Sequence, residues 1–92
     1  MTGWINETTY RVSTVGIADD SGIMAWQRKR NAKNNAVINA RAELNEIFSS
    51  GEKNGIKRII RDGNVIYENY DRFGNCEIIY EIRGNSLRNR LR

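Results

Sequence analysis

The sequence predicts an α+β domain: an antiparallel sheet of three or four strands packed on one long α-helix, in the order β-α-β-β-β, with a short C-terminal helix. Three observations carry this. Within Asp20–Gly51, residues Ala25, Ala32, Ala36, Ala40, Leu44 and Ile47 recur at three-, four- and seven-residue steps, the spacing of one helical face. Thr8–Ala18 is rich in β-branched residues and reads as a strand. Cys76–Arg83 alternates apolar and polar residues after two turn signals, which reads as the end of a β-meander.

Taken in order, Trp4-Ile5-Asn6-Glu7 is a short lead-in whose Trp anchors on the body of the domain, because a wet indole is costly. In the first strand Tyr10 and Val12 share one face, and Val15 and Ile17 share the other. This change of apolar face near Thr14, with Gly16 close by, predicts a bulge or a close backbone approach. Asp19, Asp20 and Ser21 are suited to cap the helix and to meet its positive end. Ser49-Ser50-Gly51 is its stop signal. Such a helix is roughly 40 Å long, enough to cross a small sheet only some 15–20 Å wide and to overhang it. Ile56–Arg61 is predicted as a strand, Asp62-Gly63-Asn64 as a hairpin turn with Gly63 at positive φ, and Val65–Asp71 as the partner strand. Arg72–Asn75 turns around Gly74. Cys76, Ile78, Tyr80 and Ile82 form the core face of the last strand, and Leu87–Arg92 either forms a last helical turn or frays.

The 92 residues make one domain, 1–92. No apolar run approaches membrane-spanning length, and Met1–Asn6 has neither the basic start nor the apolar stretch of a signal peptide. There is no histidine and one cysteine, Cys76. That removes the commonest general base and metal ligand, makes a zinc site untenable, and leaves a fold that needs no oxidising compartment. The expectation is a non-enzymatic protein without cofactor or metal.

The net charge of +4 comes from clustered cations: Arg28, Lys29, Arg30 and Lys33 early in the helix, and Arg83, Arg88, Arg90 and Arg92 at the end. The helix cluster is a candidate basic patch for an anionic partner, set against a solvated helix face. The line Ala32, Ala36, Ala40 and Leu44 has small side chains that let another backbone come close. Packing on the sheet is the simple reading, and a helix seam in a homo-oligomer is the sharper one, which makes this line the candidate interface. Tyr67, Tyr70, Phe73 and Tyr80 can be imagined stacking bases or a small ligand, but no basic-Gly-aromatic signature is present, and cross-strand packing is preferred. Cys76 has no base beside it and reads as a small buried hydrophobe. Glu43, Glu46, Asp62 and Asp71 show no acid/base pairing by spacing, and the glycines form no phosphate loop.

Early Trp4, a strand ending in Val15-Gly16-Ile17-Ala18, and a helix with Ala32, Ala36, Ala40 and Leu44 precede a close running Gly63-Asn-Val-Ile-Tyr-Glu-Asn-Tyr-Asp-Arg-Phe-Gly-Asn-Cys-Glu-Ile-Ile-Tyr-Glu-Ile82. Over about residues 4 to 87 this resembles the Lpp-twenty family of small bacterial outer-membrane lipoproteins. The resemblance implies an α+β domain on a lipid anchor in the cell envelope, in a family with members at flagellar basal structures. It carries no catalytic residue. The lipid-accepting cysteine of the family is not among these residues, so the resemblance implies a mature domain whose anchor has been removed; a native start at Met1 implies the cytoplasm instead. The function expected is that of an envelope domain acting through contacts with another envelope protein or with itself, touching the membrane only through that anchor. The alternative is a basic nucleic-acid-binding α+β module, and a third reading is a small-ligand binder on the aromatic face.

Overall fold

The computed structural model describes residues 2–18, 24–48 and 55–90. Its elements are β1 (Gly3–Asn6), β2 (Thr9–Gly16), α1 (Ala25–Ile47), α2 (Ile56–Arg61), β3 (Asn64–Tyr70), β4 (Cys76–Arg83) and α3 (Leu87–Arg90). The strands form one antiparallel four-stranded sheet in the order β1-β2-β4-β3, with the long helix packed on one face. The α+β class and the helix-on-sheet layering are as the sequence predicts. The order β-α-β-β-β is corrected to β-β-α-α-β-β-α.

Two local assignments produce that correction. Trp4-Ile5-Asn6 is a strand, closed onto β2 by a turn in which Asn6 Oδ1 accepts from both the N–H and the hydroxyl of Thr8, each at 2.9 Å. Its Trp4 is anchored as expected, edge-on to Tyr10 and Phe48 at 5.1 and 5.9 Å between ring centres. Ile56–Arg61, predicted as a strand, is a helix. Ile56, Ile59 and Ile60 stand at i, i+3 and i+4, and Ile56 and Ile60 are buried together against the core, which a strand would not allow with the cations between them facing water. Asp62-Gly63-Asn64 is therefore a helix-to-strand junction and not a hairpin. Gly63 has no positive φ; it is required because a Cβ there would stand 2.5 Å from the Tyr80 ring. The turn around Gly74 is as predicted, with φ of 84° at that residue.

The core lies between α1 and the sheet. Ala32, Ala36, Ala40 and Leu44 are fully buried against Val12, Cys76, Ile78, Tyr80 and Ile82, the predicted core face of β4 included. The helix runs along the strands and not across them. Gly16 meets Ala32 and Ala36, Thr14 meets Ala36, and Asn39 meets Val15, so α1 descends β2 from its end towards its start. The 23 residues of α1 span about 34 Å against about 27 Å for the eight of β2 or β4. The surplus turn at its start lies over the β3–β4 turn, where Arg28 Nη2 donates to Phe73 O. The expected overhang past a narrow sheet does not arise. The capping residues Asp19, Asp20 and Ser21 and the stop Ser49-Ser50-Gly51 lie outside the described residues.

The predicted change of face at Thr14 does not occur either. β2 pairs with β4 in unbroken register from Thr9 to Gly16, so Tyr10, Val12, Thr14 and Gly16 all face the helix. Thr14 sits on the core face because its Oγ1 donates to Ala36 O at 2.8 Å. Gly16 is the close approach: a Cβ there would stand 1.8 Å from Ala32 O and 2.5 Å from Ala36 N. Beyond the short β1, the outer edge of β2 is served by side chains instead of a strand. Asn39 and Asn35 donate to Val15 O and Ile17 O, and Thr2 Oγ1 accepts from Ser13 N.

Candidate interaction surface

The candidate interface line is spent on the fold. Ala32, Ala36, Ala40 and Leu44 are each 0% exposed. Their small side chains bring the helix backbone onto Gly16 of the same chain, so the seam with a second subunit placed on these residues is corrected to an internal one. The candidate basic patch is dispersed around the helix. Lys33 bonds Glu68 at 2.9 Å, and Lys29 lies 5.6 Å from the centre of the Tyr70 ring. Arg28 reaches the β3–β4 turn, and Arg30 lies 5.5 Å from the centre of the exposed Trp26 ring. Residues 28, 29 and 30 point in three directions because successive helical positions are about 100° apart. At the C-terminus, Arg83 bonds Glu81 and Arg88 pairs with Glu7; Arg92 and the Arg90 side chain lie outside the described residues.

The four aromatic residues do not make one platform. Tyr80 is core, Tyr70 is half-buried under Lys29, Phe73 stands at a turn, and Tyr67 is on the far side of the sheet. Tyr80 serves the fold. Its hydroxyl donates to Ile60 O at 2.6 Å and accepts from Arg41 Nε at 3.2 Å, fixing α2 to the sheet and to α1. Cys76 is a buried free thiol, pushed up by burial above its ordinary range. A shallow cavity of about 240 Å³ lies among Ala25, Arg28, Lys29 and the turn Asp71–Gly74. The Asp71 carboxylate there is taken up by the N–H groups of Phe73 and Asn75 and by the Asn75 amide, so it shapes the turn. Among the described residues no three His, Cys, Asp or Glu side chains are grouped to hold a metal, and no helix is long and apolar enough to cross a membrane.

What remains is the face of the sheet opposite α1. Strand alternation puts Arg11, Ser13 and Val15 of β2 and Glu77, Ile79, Glu81 and Arg83 of β4 on that side, with Tyr67 and Asn69 of β3 beside them. Of the described helices, α1 lies on the other side, and α2 borders this one only at its Glu81/Arg83 end, where Arg58 and Ile59 help to line a shallow cavity of about 200 Å³. Val15 is 48% and Tyr67 46% exposed, Ile5 and Ile17 extend the apolar surface at its margins, and Ile79 is half-buried at its centre. The charges are placed at two ends. At one end stands Glu77, an exposed carboxylate. At the other, Glu81 is held by Arg11 Nε at 2.8 Å and Arg83 Nε at 2.7 Å, two guanidinium groups on one carboxylate. Burial pushes the Glu81 carboxyl up, the largest single effect, but the bonds and charges of both arginines outweigh it and hold the group below the ordinary carboxylate range.

Sequence reasoning names these residues without gathering them. Its signal is present: Ile79 interrupts the polar alternate of β4, and Val15 and Ile17 form an apolar alternate opposite the core. Comparison of the chain with protein-family models, with curated proteins and with solved structures finds no match in any of the three.

Proposed function

We propose that the chain is a non-enzymatic domain that works through protein–protein contacts made by the open face of its sheet. One observation carries the reading: a sheet face that no described helix lies across has an apolar middle of Ile79 and Tyr67, extended by Val15 beside Glu77, between opposite charges. A sheet face that meets only water is normally polar along its outward alternate; a contiguous apolar area rimmed by polar residues is the usual mark of a partner surface. The face carries Arg11 and Arg83 against Glu77 and Glu81, so it has no net charge. That balance favours a protein over the phosphate backbone of a nucleic acid, whose affinity is built on uncompensated cations. For the setting we propose the bacterial envelope, on a lipid anchor, following the resemblance of residues 4 to 87 to the Lpp-twenty lipoproteins.

The contact reading is tested by placing a photo-crosslinking residue at Val15, Tyr67 or Ile38 in cells that make the protein. Adducts at the first two that disappear with Ile79→Lys are expected; adducts only at Ile38, on the outer side of α1, refute it. The envelope reading is tested by labelling the native protein with a palmitate analogue, and an unlabelled, cytosolic protein refutes that part. For the nucleic-acid reading the measurement is a mobility shift with single-stranded RNA or DNA. A shift at low salt that Arg28→Glu with Arg30→Glu abolishes would favour it over the protein reading.

A further inference from the structure

The open face asks for an occupant, and its own charge layout selects one. Along the strands, Glu77 marks one end, with Val15 directly beside it, and the Arg11–Glu81–Arg83 group marks the other; Ile79 and Tyr67 stand in the register between. The two ends carry formal charges of opposite sign: −1 from Glu77, and +1 from two arginines and one glutamate. Two identical sheets can meet face to face in two simple ways. A two-fold axis along the strands lays like ends together, Glu77 over Glu77. An axis across the strands lays each acidic end over a basic end and still stacks the apolar middles.

Resting on the reading of this face as a protein contact, we propose that its partner is a second copy of the chain, stacked sheet on sheet about a two-fold axis that runs across the strands. Glu77 of each copy then faces the Arg11/Arg83 end of the other. Interfaces of this symmetry are self-complementary by construction, so a patch with opposite charges at its two ends needs no other partner. The size fits a modest affinity. Four strands about 4.8 Å apart and eight residues at about 3.4 Å give a face of about 500 Å². Two such faces bury about 1,000 Å², at the lower limit for a specific complex and in the size class of weak, transient contacts. Aligned stacking of this kind leaves sheets about 10 Å apart, within reach of arginine and glutamate side chains from both sides.

The test is a reciprocal charge exchange on the intact chain, read by sedimentation equilibrium between about 10 and about 500 µM. Glu77→Arg alone sets arginine against arginine, and Arg83→Glu alone sets glutamate against glutamate. Each variant is expected to dimerise at least about tenfold more weakly than the parent. An equimolar mixture of the two variants places opposite charges at both ends of a heterodimer, and its affinity should return to within about threefold of the parent. Recovery on mixing cannot come from variants that fail to fold. A parent that stays monomeric throughout overturns the proposal; if crosslinks at Val15 still capture another protein and are lost with Ile79→Lys, the contact reading survives it. A dimer that ignores both charge changes but is lost with Ile66→Pro, on the outer strand β3, is joined edge to edge and overturns it equally.

Discussion

Replacing Gly16 by alanine should be among the most damaging single changes available to this fold. The added Cβ would stand 1.8 Å from Ala32 O, 2.5 Å from Ala36 N and 2.9 Å from Ala32 C, all of them backbone atoms of α1. No rotamer relieves that clash, because a Cβ has no torsion of its own. Ordinary contact lies at about 3.4 Å or more, so the helix must retreat by about 1.5 Å at its midpoint. Overpacking of this kind costs about 1–3 kcal/mol. The retreat also stretches the Thr14–Ala36 and Asn39–Val15 hydrogen bonds, each worth about 1 kcal/mol. The sum is about 3–5 kcal/mol, a large share of what a domain of this size has in reserve. In a thermal melt each kcal/mol corresponds to about 4–8 °C, so the midpoint should fall by at least about 12 °C. In urea the midpoint should drop with little change of slope. Ser13→Ala, on the opposite face of the same strand, should shift stability by no more than about 0.5 kcal/mol. A Gly16→Ala protein melting within about 3 °C of the parent would refute the close-approach argument.

Tyr80→Phe removes the hydroxyl that Ile60 O and Arg41 share, leaving the Ile60 carbonyl only the longer bond from Gly63 N at 3.3 Å; a loss of about 1–3 kcal/mol is expected, with faster hydrogen exchange concentrated in α2. Ile60→Ala should cost about 2–4 kcal/mol while Arg58→Ala stays within about 0.5, and equal costs would argue against the helical assignment of 56–61. The Glu81 carboxyl is held below its ordinary range in the folded chain, so its contribution is present above the unfolded value of about 4.3 and is lost as pH falls through the lower, folded value. Stability measured by urea titration should therefore decline in acid, and Glu81→Gln should lower stability at neutral pH and flatten that decline; an unchanged acid slope in the variant would contradict the arginine clamp.

The features legible in the sequence are those whose cause is local and periodic. The line Ala32, Ala36, Ala40 and Leu44 and the alternation of Cys76, Ile78, Tyr80 and Ile82 each announce a buried face, and both are buried. Ile56–Arg61 is ambiguous in kind: three isoleucines in six residues satisfy a β-rich composition and a one-turn helical spacing at once. Only the burial of Ile56 with Ile60 and the grip of Tyr80 on Ile60 O decide between them. β1 is hard to read because four residues carry too little pattern, and its pairing with β2 is a tertiary fact. Thr14 misleads for a physical reason. A hydroxyl at a core position looks like a change of face, yet a helix carbonyl brought close by Gly16 gives it a partner inside.

The same close approach bears on where contacts with other molecules can form. A helix with small residues every fourth position presents a surface that either sheet or subunit can use, and the two uses exclude each other. Here Gly16 on the strand is the complement of Ala32 and Ala36 on the helix, so the flat side of α1 is matched within the chain. The exposed apolar residues of the helix are not gathered in one place: Trp26, with Arg30 near its ring, and Ile38 stand about three turns apart. The sheet, by contrast, is covered on one side only by the described elements, and its other side keeps Val15, Ile79 and Tyr67 in neighbouring registers. Packing one helix along four strands covers one face and leaves the other without a described helix across it. On the proposed reading the interaction surface is the face that α1 does not reach, and substitutions that strengthen or weaken the α1 contact should then change stability while leaving the specificity of that outer face unaltered.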